Sequence, residues 1–124
     1  MKAGKVRLLI PVMLLASTAS FAGQAEIVDV KVTASPGDGY RFDVTLRHDD
    51  AGWDHYADGW EVLSPTGDSL GNRVLAHPHV SEQPFTRSLS GVQIPEGIST
   101  VSIRAHDSVH GYNPKQQQVK LPGR

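Results

Sequence analysis

The six histidines of this 124-residue chain are its strongest candidates for a functional site. They occur in three short stretches of the chain and are accompanied by Asp49, Asp50, Asp54, Asp58 and Asp107. Neutral imidazole binds zinc, copper and nickel well, and a carboxylate completes the ligand shell or orients an imidazole through its other ring nitrogen. The chain has no cysteine, so any bound metal must take nitrogen or oxygen ligands.

The elements that position these residues are predicted to be strands, because apolar and polar residues alternate over short runs bounded by turn-forming residues. In the clearest run, Tyr40, Phe42, Val44 and Leu46 alternate with polar residues. A spacing typical of helices is not found. The pattern predicts an all-β fold with seven short strands, at about 28–33, 40–47, 60–64, 69–76, 85–89, 101–106 and 119–121.

Successive strands that reverse direction bring every second connection to the same end of the fold. The connections 48–58, 77–79 and 106–110 would then share one end, which we call the histidine pole. All six histidines lie in these segments and are candidate ligands of a divalent transition metal such as copper, zinc or nickel: His48, His55, His77, His79, His106 and His110.

Structural explanations of two of these histidines remain open at this point. His48 continues the inward parity of the second strand, which favours a structural histidine bonded to a backbone carbonyl or a neighbouring aspartate. His55 lies between Trp53 and Tyr56 in a long loop, either as a ligand or as part of an aromatic plug over the end of the fold.

The other two pairs have spacings that do not favour chelation. Pro78 favours the polyproline II conformation, which has three residues per turn and would point the side chains of His77 and His79 in different directions. His106 and His110 are four residues apart, which suits chelation only on a helix, and the sequence that follows them disfavours a helix. Closure of the loop must therefore bring His106 and His110 together.

Seven strands in about 100 residues, with frequent turn signals, resemble the immunoglobulin-like and fibronectin type III-like β-sandwich superfamily. Trp60 stands early in the third strand, where such sandwiches often bury a tryptophan, and Val101–Asp107 resembles the penultimate strand of many bacterial members. The resemblance implies a single sandwich without the two cysteines or the tyrosine corner of antibody-type domains. The segments 53–60 and 77–79 also resemble those of small secreted bacterial proteins of unassigned function.

The first 22 residues are predicted to be a secretory signal peptide cleaved after Ala22. They combine a basic start, an apolar run from Leu8 to Ala16 and a small-residue site, and the apolar run is too short for the alternative, a spanning anchor. The domain 23–124 keeps nine basic residues against 13 acidic ones, a formal net charge of −4. We therefore expect a periplasmic or secreted protein that has no membrane span after cleavage and does not bind nucleic acid.

An enzyme is not expected, because the chain has neither a nucleophile-elbow sequence nor a glycine-rich phosphate loop. Two non-enzymatic functions remain. The first is an exported module that binds a transition metal through the histidine pole. The second is a module that recognises a periplasmic or extracellular protein or glycan without metal, through Trp53, Tyr56 and Tyr112 together with His55.

Overall fold

The computed structural model describes residues 23–124 as an all-β fold, which confirms the predicted fold class. The predicted signal peptide 1–22 and its cleavage site lie outside the described residues. Within the described part of the chain, no helix is long and apolar enough to cross a bilayer.

Eight strands form the domain, one more than the sequence predicts. They are β1 (Glu26–Ala34), β2 (Tyr40–Arg47), β3 (Ala57–Leu63), β4 (Ser69–Val74), β5 (Phe85–Val92), β6 (Thr100–Asp107), β7 (Gly111–Tyr112) and β8 (Gln117–Lys120). The additional strand is β7, whose two residues are too few to show an alternating pattern.

The strands form two antiparallel sheets. The first sheet has the order β1-β2-β5, and the second has the order β4-β3-β6-β7, with β8 also pairing with β6. The sheets face each other across one hydrophobic core, in which Trp60, Phe42, Leu46 and Ile103 are the largest fully buried apolar side chains. Each such side chain contributes roughly 1.5–3 kcal/mol by leaving water.

The alternation along β2 and β6 has the predicted parity. Tyr40, Phe42, Val44 and Leu46 all face the core, as predicted. β1 differs, because a β-bulge between Ile27 and Asp29 shifts the register. Val28, predicted to share a face with Val30 and Val32, is consequently 45% exposed.

The strand registers bring three connections to one end of the sandwich. In the second sheet the start of β3 lies beside the end of β6, where Ala57 pairs with Asp107, and beside the end of β4. In the first sheet the end of β2 lies beside the start of β5, where Leu46 pairs with Phe85. The connections 48–56, 75–84 and 108–110 therefore meet at the histidine pole, as the reversal of successive strands predicts.

Candidate metal centre

Three side chains at the histidine pole bring their ligand atoms within 4.8 Å of one another: His48, His55 and Asp107. His48 and His55 belong to the connection between β2 and β3, and Asp107 ends β6. Nε2 of His48 lies 3.2 Å from Nε2 of His55, which in turn lies 2.9 Å from Oδ2 of Asp107. His48 and Asp107 are buried and His55 is half-buried, so the three atoms converge at the edge of the core.

A fourth side chain and a backbone oxygen adjoin this group. Nδ1 of His110 lies 3.0 Å from Oδ2 of Asp107. The carbonyl oxygen of Gly23, just before β1, lies 2.9 Å from Nε2 of both His48 and His55 and 2.8 Å from Nδ1 of His110. Five nitrogen and oxygen atoms from three separate parts of the chain therefore form one polar cluster.

The ring nitrogens of the cluster face acceptor oxygens and one another. Nδ1 of His48 faces the carboxylate of Asp50 and carries a proton there. Nε2 of His48 faces the carbonyl oxygen of Gly23 and Nε2 of His55. Nε2 of His55 carries at most one proton and has three neighbouring nitrogen or oxygen atoms. Once their protons are displaced, these ring nitrogens would present lone pairs to a cation at the centre of the cluster.

Asp50 holds the inner imidazole in place. Its Oδ1 pairs with Nδ1 of His48, and both side chains are fully buried. The same oxygen accepts the backbone N–H of Ala57 at 3.0 Å, and Oδ2 accepts the backbone N–H of His79 at 2.7 Å. A carboxylate bound to one ring nitrogen of a histidine fixes the ring orientation, so Nε2 of His48 is held facing the cluster.

Asp107 is ionised although its residue is completely buried. Burial alone would raise the pKa of its carboxyl group. The hydrogen bonds that Oδ2 accepts from the backbone of His110 and Val109, and from the rings of His110 and His55, outweigh burial and hold that pKa below 3.8. Oδ1 of Asp107 has no hydrogen-bond partner among residues 23–124. An ionised carboxylate with a spare buried oxygen is a suitable ligand for a cation.

His77 and His79 form a separate group at the same pole. Their ring centroids are 4.6 Å apart, so Pro78 does not splay the rings as the sequence predicts. The ring of His79 stacks on Phe85, and its Nε2 accepts a hydrogen bond of 2.8 Å from Arg87. Burial, followed by the positive charge of Arg87, lowers the pKa of His79 below 6.5. A ring nitrogen that is already bonded to a guanidinium is a poor metal ligand.

His106 belongs to a third group on the outer face of the second sheet. Its Nδ1 contacts Asp58, and its ring packs edge-on against Tyr112. His110 instead contacts Asp107 and Gly23, so the tight turn after β6 places the rings of His106 and His110 in different groups rather than in one pair.

The three predicted recognition residues occupy two different environments. Trp53 is 69% exposed and packs edge-on against Tyr56, with ring centroids 5.6 Å apart. Tyr112 is held within its sheet, because its hydroxyl donates a 2.6 Å hydrogen bond to Glu61 and its ring lies under the guanidinium of Arg104. Trp53 and Tyr56 form an aromatic pair in one loop of the pole, whereas Tyr112, which is 40% exposed, lies on the outer face of the second sheet.

From the sequence, Asp107 is only one of five aspartates expected near the histidines, and the carbonyl of Gly23 is not expected there. Asp107 had a detectable signal, because it continues the inward parity of Val101, Ile103 and Ala105 and so places a carboxylate on a core-facing position. The carbonyl of Gly23 had none, since a backbone oxygen has no signature in the sequence.

Comparison with known proteins places the chain beside one relative without assigning it an activity. It is similar to a protein of Halomicrobium mukohataei named "Putative lipoprotein", with 48% identity over 96 residues, which cover 77% of this chain and 47% of the relative. The chain thus spans about half the length of that relative. No family model matches the chain. No solved structure matches it either.

Proposed function

We propose that this protein is an exported, non-enzymatic module that binds one divalent transition-metal ion at His48, His55 and Asp107, with His110 as a further ligand. The observation that carries the proposal is the convergence of three ring nitrogens and a carboxylate oxygen, from His48, His55, His110 and Asp107, in one partly buried cluster. Of the six candidate histidines, the geometry favours His48, His55 and His110.

Two of the contacts between ligand atoms have lengths compatible with a transition metal. Two ligands bound to zinc at about 2.0–2.1 Å lie about 2.9 Å apart at a right angle and about 3.3 Å apart at the tetrahedral angle. The contacts of 3.2 Å and 2.9 Å that His55 makes with His48 and Asp107 fall at these values. Imidazole with carboxylate and no thiolate suits zinc, Cu(II) or nickel, whereas Cu(I) prefers sulfur ligands.

Export is part of the same proposal. It is supported by the basic and apolar pattern of the first 22 residues and by the name of the relative, which is that of an exported class. We propose that the protein is periplasmic or secreted.

We also propose that the fold belongs to the fibronectin type III-like branch of the immunoglobulin-like sandwiches. The support is the division of consecutive strands, with the first, second and fifth in one sheet and the third, fourth and sixth in the other. Trp60, buried on β3 between the sheets, adds to this support.

Calorimetric titration with Zn²⁺, Cu²⁺ and Ni²⁺ tests the metal proposal. We expect one ion per chain and binding that weakens as the pH falls through about 6, because protonated imidazole cannot bind a metal. His55→Ala should abolish this binding, whereas His77→Ala, which removes an exposed histidine of the same pole, should preserve it. No uptake at neutral pH, or undiminished uptake after all six histidines are replaced, would reject the proposal.

A second candidate function is recognition of a protein or glycan at the pole. It is favoured by the exposure of Trp53 in one loop, Val80 in the next and Val109 in the third, at 69%, 62% and 58% respectively. Rigid aromatic side chains that are exposed beside apolar neighbours are common anchors of binding surfaces.

A further inference from the structure

The backbone of Gly23 is part of the polar cluster. Its carbonyl oxygen lies 2.8–2.9 Å from ring nitrogens of three histidines: His48, His55 and His110. These are the same three histidines that the proposed metal centre uses. We propose that this oxygen is itself a ligand of the metal, so that the segment before β1 closes the centre.

The space around Gly23 supports this assignment. A Cβ added to it would lie 2.5 Å from Cε1 of His110. Glycine thus allows the backbone to approach the imidazoles closely enough for its carbonyl oxygen to join them.

The neighbouring residues hold the segment in this position. Ala25 is 1% exposed within the core, and its carbonyl accepts a 3.0 Å hydrogen bond from the buried side chain of Asn113. Gly23 therefore lies two residues from an anchored position.

The inference rests on the proposed metal centre and adds two properties to it. The donor set becomes nitrogen with two kinds of oxygen, carboxylate and carbonyl, which disfavours soft Cu(I) further. Release of the metal also requires Gly23 to move away, so the segment before β1 would control how fast the ion leaves.

Selective isotope labelling tests the assignment in the intact protein. Gly23–Gln24 is the only glycine–glutamine pair in the chain, so labelling glycine with ¹³C at the carbonyl and glutamine with ¹⁵N gives a single carbonyl–amide correlation. We expect one equivalent of Zn²⁺ to replace this signal with a new one at a shifted carbonyl frequency. A signal that does not move while the protein binds Zn²⁺ overturns the inference and leaves the proposed function intact. Failure of the protein to bind Zn²⁺ overturns both.

A pair of glycine variants provides the second measurement. Gly23→Ala should release Zn²⁺ to a chelator at least tenfold faster than the unmodified protein. Gly37→Ala is the control, because Gly37 lies in the connection between β1 and β2 and a Cβ added there has no neighbour within 4 Å. Release from Gly23→Ala within twofold of release from Gly37→Ala would contradict the inference.

Discussion

Replacing Asp50 with asparagine tests the most consequential contact of the histidine pole. The carboxylate of Asp50 accepts from the ring of His48, from the backbone of Ala57 and from the backbone of His79. It thereby joins the end of β2, the start of β3 and the connection between β4 and β5. Asparagine keeps the shape of the side chain but replaces one accepting oxygen with an NH₂ group that can only donate.

The expected loss of stability follows from these contacts. Whichever way the amide points, its NH₂ group faces at least one N–H donor in a site that is 6% exposed. Hydrogen bonds to a charged group contribute about 1.5–3 kcal/mol each, and a buried donor left without an acceptor costs about 1–3 kcal/mol. We therefore expect Asp50→Asn to lower the free energy of unfolding by about 2–4 kcal/mol. Loss of the carboxylate behind a ligating histidine should also weaken metal binding about 10–100-fold.

Denaturant unfolding and metal titration measure the two effects, and the preceding residue supplies the control. Asp49 is exposed, whereas Asp50 is buried. Asp49→Asn should therefore change stability by less than about 0.5 kcal/mol and leave metal affinity unaltered. If Asp50→Asn were as stable as Asp49→Asn, or bound metal equally well, the role assigned to Asp50 would be wrong.

Three further predictions concern the core, the outer sheet face and the exposed aromatic pair. Trp60→Ala should lower the free energy of unfolding, measured by chemical denaturation, by about 3–5 kcal/mol, because Trp60 is completely buried. Trp60→Phe should lower it clearly less, and equal losses would contradict the role of Trp60 in the core. Burial opposes ionisation of Glu61, but hydrogen bonds from Tyr112, Ser69 and Arg104 lower its pKa below 4.5. Because the unfolded chain takes up the proton more readily than the folded one, acid favours unfolding. The free energy of unfolding should therefore exceed that of Glu61→Gln by its full margin above about pH 4.5, and this margin should shrink as the pH falls. A margin that grew in acid would refute this prediction. Trp53→Ala should leave the thermal midpoint within about 2 °C of the original, because the side chain is 69% exposed, and a large fall in calorimetry would show that Trp53 supports the fold.

The strands were largely predictable because a buried sheet face imposes a strict two-residue period. β2 was predicted with its observed bounds, and the other strands were located with differences at their ends. Two features of the strands were not predicted from the sequence. β7 has only two residues, which is too short for any period, and the bulge in β1 reverses the parity of Val28 without a change in composition.

The site was predictable only as a region. Strand reversal suffices to bring the three histidine-bearing connections to one end, since it depends on the count of strands and not on side-chain detail. The assignment of rings to groups depends on loop conformation: Arg87 engages His79, and Asp58 engages His106, through contacts between distant parts of the chain. Neither contact has a local sequence signature.

The most direct test of the account is a crystal structure of the protein grown with Zn²⁺ or Cu²⁺, with data collected at the absorption edge of the metal. The account predicts one anomalous peak at the histidine pole, with bonds of about 2.0–2.2 Å to Nε2 of His48, Nε2 of His55 and a carboxylate oxygen of Asp107. A peak between His77 and His79, or no peak in fully folded protein, would contradict it.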